Sequence, residues 1–346
     1  MKKILFATTA LVATAGAASA DIALSGSAEM GIVGGSRYGD VTQFHTDIDV
    51  TFTMTGEADN GLTFGAKVDL DENGAFANTT QGGETIFVAF GNAKLTMGDV
   101  DGAFDAAMQE VNIGGSIDDS ETWHMGFNGN AGLDGSYDGQ IAQFEYSFNS
   151  FTAYLSAEID DTGTFDPVWG IGVRYSAELA GLDLGVGIGY QSGDQDFADA
   201  TAVLASAAAG AATTFEGAVV AFGGVAARSD VWGISLDTTF NNGLQARLNY
   251  SAANYSDIAG LNDETETHWA LGLGYSMNAL TIGFNYGVYN DLFGIDDLQS
   301  KGYGLAVNYD LGGGLEAQLG YGHEDVELGG SDFSNDTFSL GVAMSF

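Results

Sequence analysis

A long stretch of the chain, residues 99–138, is acidic and contains no basic side chain. Its nine carboxylates are Asp99, Asp101, Asp105, Glu110, Asp118, Asp119, Glu121, Asp134 and Asp138. Carboxylates at this density attract cations, and Asp99, Asp101 and Asp105, or Asp118 and Asp119, offer oxygen ligands to Ca²⁺. No complete calcium-loop spacing follows them, so we expect neither a metal ion nor another cofactor. The stretch is predicted to act on cations through its field, or else to be a solvated acidic surface loop.

The rest of the sequence offers no catalytic signature. The motifs G-x-S-x-G, G-x-x-x-x-G-K-[ST] and G-x-G-x-x-G are absent, and the histidines are scattered at His45, His124, His268 and His323. The segment "HEDVE" at His323 does not fit the metalloprotease pattern H-E-x-x-H. We therefore predict that the protein is not an enzyme. A barrel lipase with Ser and His on neighbouring strands is the enzymatic alternative.

The first twenty residues have the three parts of a secretory signal peptide. Lys2 and Lys3 precede an apolar stretch, and small residues end at Ala18-Ser19-Ala20. Cleavage after residue 20 would leave residues 21–346, which we expect to form one domain. The full chain has 9 basic and 47 acidic residues, a net charge of −38, and this excludes nucleic acid as a partner.

Alternation of apolar and polar residues dominates the chain after residue 20, as in Leu280, Ile282 and Phe284 against Thr281 and Gly283. This period of two is typical of β-strands. Sixteen strands are predicted to begin near Ile22, Thr42, Leu62, Glu84, Ala93, Gly139, Phe151, Pro167, Leu182, Asp230, Leu244, Glu264, Leu280, Lys301, Leu315 and Asn335.

Short and long connections alternate between these strands. Seven short turns predict hairpins at Ala58, Gly91, Asn149, Ala180, Asn241, Asn278 and Gly312. The longer, more acidic connections begin after Gly34 and end with one near Glu327. An even number of antiparallel strands, with short turns at one rim and long loops at the other, predicts an all-β transmembrane barrel.

The apolar face of the strands is predicted to contact lipid, and the polar face to line water. Trp169, Trp232 and Trp269 each lie near the start of a strand and share parity with its apolar residues, as expected of an aromatic girdle. Nine residues separate Trp232 from Asn241, which spans roughly 23 Å of a band about 25 Å tall. The terminal Phe346 is predicted to lie in the opposite girdle, on a strand that pairs with the first.

Three segments resemble the general diffusion porins of Gram-negative bacteria, especially the alphaproteobacterial, Rhodobacter-type group. They are "ADIALSGSAEMGI" from residue 20, "GDVDGAFDAAMQEVNIGGS" from residue 98 and the terminal "GVAMSF". The resemblance covers the whole chain. It implies a sixteen-stranded barrel, a homotrimer, whose third long loop folds inward and constricts the pore, a role that falls on residues 100–138. The enterobacterial Pro-Glu-Phe-Gly-Gly motif and a dense arginine cluster are absent, so details of that branch do not transfer.

The resemblance also suggests a role for four basic residues at polar positions, Lys67, Lys94, Arg174 and Arg247. They would face the acidic loop across the pore and set up a transverse field, or each would neutralise a nearby acid. The resemblance implies an outer-membrane channel for small hydrophilic solutes and ions, surrounded by lipid and lipopolysaccharide. The excess of acids over bases in residues 99–138 predicts that this channel prefers cations. A substrate-selective channel is the alternative. The Ala-rich connection 192–229 has no functional interpretation.

Overall fold

The computed structural model describes residues 21–72, 83–117, 124, 126, 132–137, 139–160, 166–193, 228–255, 265–328 and 330–346. The predicted signal peptide and most of the connection 192–229 lie outside the described residues. Within the described ranges, no helix is long and apolar enough to cross a membrane.

Sixteen strands pair antiparallel, and the first pairs with the last to close a barrel. They are β1 (Asp21–Gly35), β2 (Val41–Glu57), β3 (Thr63–Glu72), β4 (Glu84–Phe90), β5 (Ala93–Gly98), β6 (Ile141–Phe148), β7 (Phe151–Glu158), β8 (Val168–Leu179), β9 (Leu182–Ser192), β10 (Arg228–Phe240), β11 (Leu244–Tyr255), β12 (Glu266–Met277), β13 (Leu280–Asn290), β14 (Gln299–Gly312), β15 (Leu315–Leu328) and β16 (Ser331–Ser345). All seven predicted hairpin turns join neighbouring strands. The predicted sixteen-stranded antiparallel barrel is therefore confirmed.

The last connection differs from the prediction. We expected a long acidic connection near Glu327 and a strand from Asn335, but β15 continues to Leu328 and β16 begins at Ser331. Leu328 pairs with Ser331, so the two strands are joined by a tight turn. Polar residues can continue a strand beyond the lipid band because both faces of the sheet then meet water.

Side-chain exposure alternates along the strands in the inverse sense of a soluble protein. On β16 the exposed fraction is 37% for Phe338, 4% for Ser339 and 51% for Leu340. Large apolar side chains thus point away from the barrel axis, while small polar ones point inward. A soluble protein rarely leaves so continuous an apolar surface in water, so this face is the one that contacts lipid.

Aromatic side chains border the apolar face at the end where the long connections lie. Trp169, Trp232 and Trp269 all point outward and are exposed. Cross-strand neighbours extend the band, since the ring centroids of Trp232 and Tyr250 are 5.5 Å apart and those of Trp269 and Tyr286 are 5.4 Å apart. Such pairs stabilise adjacent strands. That these aromatic side chains form a girdle at the membrane surface stays a prediction.

The chain ends as part of the sheet. β1 and β16 pair from Ser27 and Ser345 to Gly34 and Phe338, as predicted for the closing strand. The N–H of Phe346 donates a hydrogen bond of 2.9 Å to the carbonyl oxygen of Gly26. The ring of Phe346 is exposed at the barrel end opposite the tryptophans.

Candidate functional site

A second layer of chain lies on the inward face of the barrel. It is formed by residues 101–117, which we call the lining segment, and includes the short helix α1 (Ala103–Ala107). Ala103, Phe104 and Ala107 are fully buried. The helix packs against β7, β8 and β9.

Glycines on the wall let the lining segment approach the strands closely. A Cβ atom at Gly187 would lie 2.0 Å from the carbonyl oxygen of Ala107, and one at Gly283 would lie 1.7 Å from that of Ile113. Any larger residue would displace the segment. The same close approach occurs at Gly172, Gly189, Gly272 and Gly274. We call these six glycines the glycine track: Gly172, Gly187, Gly189, Gly272, Gly274 and Gly283. Glycines that recur at inward positions of neighbouring strands are the sequence signal that could have predicted the close approach.

Polar side chains of the wall bond the backbone of the lining segment. On β6, Gln143 Nε2 donates to the carbonyl oxygen of Asp101 at 2.6 Å. On β14, Asn308 Oδ1 accepts from the N–H of Gly115 at 3.0 Å, and its Nδ2 donates to the carbonyl of Gly115 at 2.9 Å. These side-chain bonds satisfy backbone groups of the segment that a neighbouring strand would otherwise bond. Similar bonds come from Ser156, Ser235 and Asn249.

The later residues 132–137 and 139, which we call the returning part of the acidic stretch, are held by two carboxylates. Glu158 on β7 accepts hydrogen bonds of 3.0 to 3.2 Å from the backbone N–H groups of Ser136, Tyr137 and Gly139. Asp134 accepts a bond of 2.7 Å from the N–H of Gly102, just before α1. Asp134 therefore ties the returning part of the stretch to the start of the lining segment.

The described acids of the stretch fall into an exposed and a half-buried set. Asp99 and Asp101 are exposed, while Asp105, Glu110 and Asp134 are half-buried. Four predicted residues lie outside the described residues: Asp118, Asp119, Glu121 and Asp138.

Three of these acids, Asp101, Glu110 and Asp134, act electrostatically on Asp105, and we call the four residues together the acidic cluster. Burial, reinforced by the other three charges, raises the pKa of Asp105 to about 7. Burial also raises the pKa of Asp134 to about 6, against the effect of the hydrogen bonds that Gln191 and Gly102 donate. The negative charge of the cluster therefore changes close to neutral pH.

Two of the four predicted basic residues pair with carboxylates of the wall. Arg174 Nη2 on β8 lies 2.7 Å from Asp237 Oδ1 on β10, and Lys67 Nζ lies 3.3 Å from Asp69 Oδ2 on β3. These four residues were predicted either to set up a field across the pore or to neutralise nearby acids. For Arg174 and Lys67, the short distances to carboxylates fit neutralisation.

The other two basic residues have different surroundings. Arg247 donates to the carbonyl oxygens of Glu110, at 3.3 Å, and of Asn112. The guanidinium group of Arg247 thus binds the backbone of the lining segment, and its role in a transverse field across the pore stays a prediction. Lys94 Nζ lies 5.4 Å from the ring centroid of Phe87, a cation–π contact on β5 and β4.

Two histidines that are far apart in sequence bind neighbouring elements inside the barrel. His268 Nε2 on β12 lies 2.8 Å from the carbonyl oxygen of Gly126, and His124 is hydrogen-bonded to Asn285 on β13. Burial lowers the pKa of His124 to about 4, so the ring is neutral at neutral pH. Sequence spacing gives no signal for this contact. The histidines hold a later part of the acidic stretch on the wall.

No group of three or more His, Asp and Glu side chains within the described residues is arranged to hold a metal ion. Asp118 and Asp119, one of the candidate calcium positions, lie outside these residues. The calcium hypothesis for that position and the expectation of no cofactor both stay predictions.

The closed barrel, its apolar outer face and its polar interior define a transmembrane channel of the outer-membrane type. A family described as Gram-negative porin matches residues 7–328. The chain is 29% identical to a porin of Rhodobacter capsulatus over 334 residues, which cover 94% of this chain and 100% of the relative. The chain belongs to the Gram-negative porin family, so it is an outer-membrane diffusion channel and not an enzyme.

Solved porin structures share the same fold. A triple mutant of Rhodopseudomonas blastica porin has a TM-score of 0.61 at 19% identity, and another porin structure has a TM-score of 0.62 at 22% identity. Both comparisons cover 94% of this chain and 100% of the other. The predicted resemblance to Rhodobacter-type porins is thus confirmed.

Proposed function

We propose that the barrel passes small hydrophilic solutes and ions passively and prefers cations. The observation that carries this preference is the charge balance of the lining. Three acids of the cluster lie on the lining segment, and Asp134 is hydrogen-bonded to its start. Of the four wall bases, Lys67 and Arg174 are neutralised by Asp69 and Asp237, whereas Arg247 keeps its charge and donates to backbone carbonyls. The low-dielectric barrel focuses the remaining negative field on the water inside.

The wall outside the lining segment does not reverse this balance. The described part of the lining segment contacts the wall from β6 through β16 to β1. On β2 and β3 the inward acids Asp47, Asp49 and Asp69 accompany the inward bases Lys67 and Lys94 of β3 and β5. Lys67 is paired with Asp69, and the acids Asp47 and Asp49 of the same wall offset the remaining positive charge.

We further propose that residues 100–138 form the constriction of the pore. The position of residues 101–117 inside the barrel supports this role, because a second layer of chain reduces the open cross-section. The acidic cluster would then lie at the narrowest section, where charge has the largest effect on ion selection.

The test is the reversal potential of single channels in a planar bilayer under a tenfold KCl gradient. We expect a sign that shows potassium to be the more permeant ion, and a preference that weakens in concentrated KCl, where the Debye length falls from about 10 Å at 0.1 M to about 3 Å at 1 M. A sign showing chloride to be the more permeant ion would refute the proposal.

A charge-matched pair of variants locates the effect. Asp101→Asn, Asp105→Asn and Glu110→Gln together neutralise three acids of the cluster. Asp325→Asn, Glu327→Gln and Asp332→Asn neutralise three acids near the tight turn between β15 and β16. We expect only the first set to reduce the reversal potential strongly. Equal effects would mean that the cluster does not line the constriction.

We propose that the protein assembles as a homotrimer through the wall around β4–β7. These strands have 7, 6, 8 and 8 residues, against 14, 14 and 15 in β14–β16. Six residues of tilted strand span roughly 15 Å, which is less than the apolar band of about 25 Å. A neighbouring copy would cover the part of the bilayer that these strands cannot span.

Two arginine substitutions at outward positions test the assembly. Met97 lies on β5 in the proposed interface, and Leu305 lies on β14 outside it, both on the outer face. In mild detergent, Met97→Arg is expected to shift the mass from trimer to monomer, whereas Leu305→Arg remains trimeric. A monomeric wild type, or a Met97→Arg variant that stays trimeric, would contradict the proposal.

We also propose that residues 1–20 are cleaved as a signal peptide and that the barrel inserts among outer-membrane lipid and lipopolysaccharide. The small residues that end at Ala20 support the cleavage position. N-terminal sequencing of the exported protein is expected to begin at Asp21. An N-terminus at Met1 in the outer-membrane fraction would contradict the cleavage.

A further inference from the structure

The seam that closes the barrel has a feature of its own on the inward side. Every other pair of neighbouring strands is consecutive in sequence, but β1 and β16 are the two ends of the sheet. Within this seam Gly31 and Gly341 are direct partners. Both occupy inward positions, since the adjacent Met30 and Leu340 are exposed on the outer face. The seam therefore presents a pair of residues without side chains to the interior.

One side chain of the lining segment covers this glycine pair. Ile117 is fully buried. A Cβ atom on Gly31 would lie 2.5 Å from Ile117 Cδ1, and one on Gly341 would lie 2.7 Å from the same atom. The end of the isoleucine thus fills the space that two larger residues would take and contacts both strands of the seam.

The lining segment reaches the seam one strand at a time. Asn308 on β14 holds Gly115 by two hydrogen bonds of 3.0 and 2.9 Å. Ser116 then lies over β15, where a Cβ on Gly320 would be 2.5 Å from Ser116 Cβ. The next residue, Ile117, reaches β16 and β1. Three consecutive residues therefore contact four adjacent strands, and the first of them is fixed by a wall side chain.

We propose that the lining segment is an internal strap that holds the barrel closed, and that Ile117 is the residue that joins β1 to β16 from inside. The strap is tied at β6, where Gln143 bonds Asp101, and its residue Ile117 contacts the seam. Ile117 carries no charge, so this role is independent of ion selection. The seam has no hairpin turn to restrict its opening, which is why a bridging contact matters there more than elsewhere on the wall.

The test is amide hydrogen exchange of the purified full-length protein in detergent, compared between wild type and Ile117→Val. Valine lacks the Cδ1 atom that touches the glycine pair and leaves the rest of the side chain in place. We expect amides of β1 and β16 near Gly31 and Gly341 to exchange roughly twofold to tenfold faster, because loss of one buried methyl group weakens the contact that opposes local opening.

Ile113→Val is the matched control. Ile113 belongs to the same segment and is also buried, but it packs on Gly274 and Gly283 of β12 and β13, which a hairpin joins. We expect this variant to leave exchange at the seam unchanged. Equal acceleration of the seam by both variants, or no acceleration by Ile117→Val, would overturn the proposal.

Two further variants make the test specific to the seam. Ser27→Cys with Ser345→Cys places thiols at partner positions of β1 and β16, in a chain without cysteine. Oxidation of this pair is expected to abolish the difference in seam exchange rate between the wild type and Ile117→Val, and a difference that survives the disulfide would contradict a bridging role.

Asn308→Ser removes the two hydrogen bonds that hold Gly115 and does not alter the seam itself. We expect this variant to accelerate exchange at the seam as well, and unchanged exchange would contradict the strap.

Discussion

Replacing Asp105 by asparagine is expected to stabilise the folded barrel at alkaline pH and to have little effect at acidic pH. Burial raises the pKa of Asp105 from 3.8 to about 7, so between these values the folded protein keeps a proton that the unfolded chain has released. The folded state therefore loses stability from this group as pH rises from about 4 to about 7. The loss at pH 8 is at most about 4 kcal/mol, since each tenfold change in proton affinity corresponds to about 1.4 kcal/mol.

The assay is urea unfolding of the wild type and of Asp105→Asn in detergent, followed by loss of the compact band on unheated gels. The two proteins should unfold at the same urea concentration near pH 4, and the variant should resist more urea near pH 8. Because burial is the largest cause of the shift, salt at about 1 M should leave most of the difference in place. A variant that is less stable than the wild type at pH 8, or a difference that is equal at both pH values, would refute this reasoning.

Three further experiments test other parts of the structure. A membrane-impermeant thiol reagent should label Thr53→Cys, which points into the barrel, much faster than Phe52→Cys, which points to lipid; equal rates would contradict the orientation of the wall. Gly283→Ala should lower the temperature at which the unheated gel band shifts, because its Cβ would meet the carbonyl oxygen of Ile113; an unchanged temperature would contradict close contact. Glu158→Gln should speed amide exchange at the three backbone N–H groups that Glu158 binds, and protection equal to the wild type would show that the carboxylate is not their anchor.

The barrel itself is readable from the sequence because its strands repeat one physical pattern. Leu280, Ile282 and Phe284 alternate with small or polar residues, and a period of two defines both the strand and the side that meets lipid. The pattern failed only near Asn335, where the sheet continues beyond the lipid band and polar residues occupy both faces. Alternation alone cannot separate a polar strand from a polar loop.

The interior of the barrel was much less predictable. Sequence placed Arg247 on the inward face but could not show that its partner would be a backbone carbonyl of the lining segment. The contact between His268 and Gly126 likewise depends on how a long connection folds back, which no local pattern encodes. Composition located the acids of residues 99–138, whereas the raised pKa of Asp105 depends on burial that only the folded segment creates.

The glycine track has a consequence for engineering pores of this kind. The carbonyl oxygens of Ala107 and Ile113 approach Gly187 and Gly283 so closely that the positions of the wall glycines determine the path of the lining segment. A loop grafted from another barrel would meet a surface shaped for a different route, unless the donor's inward glycines were transplanted with it. A loop of this kind can therefore be exchanged between channels only together with the inward glycines on which it packs.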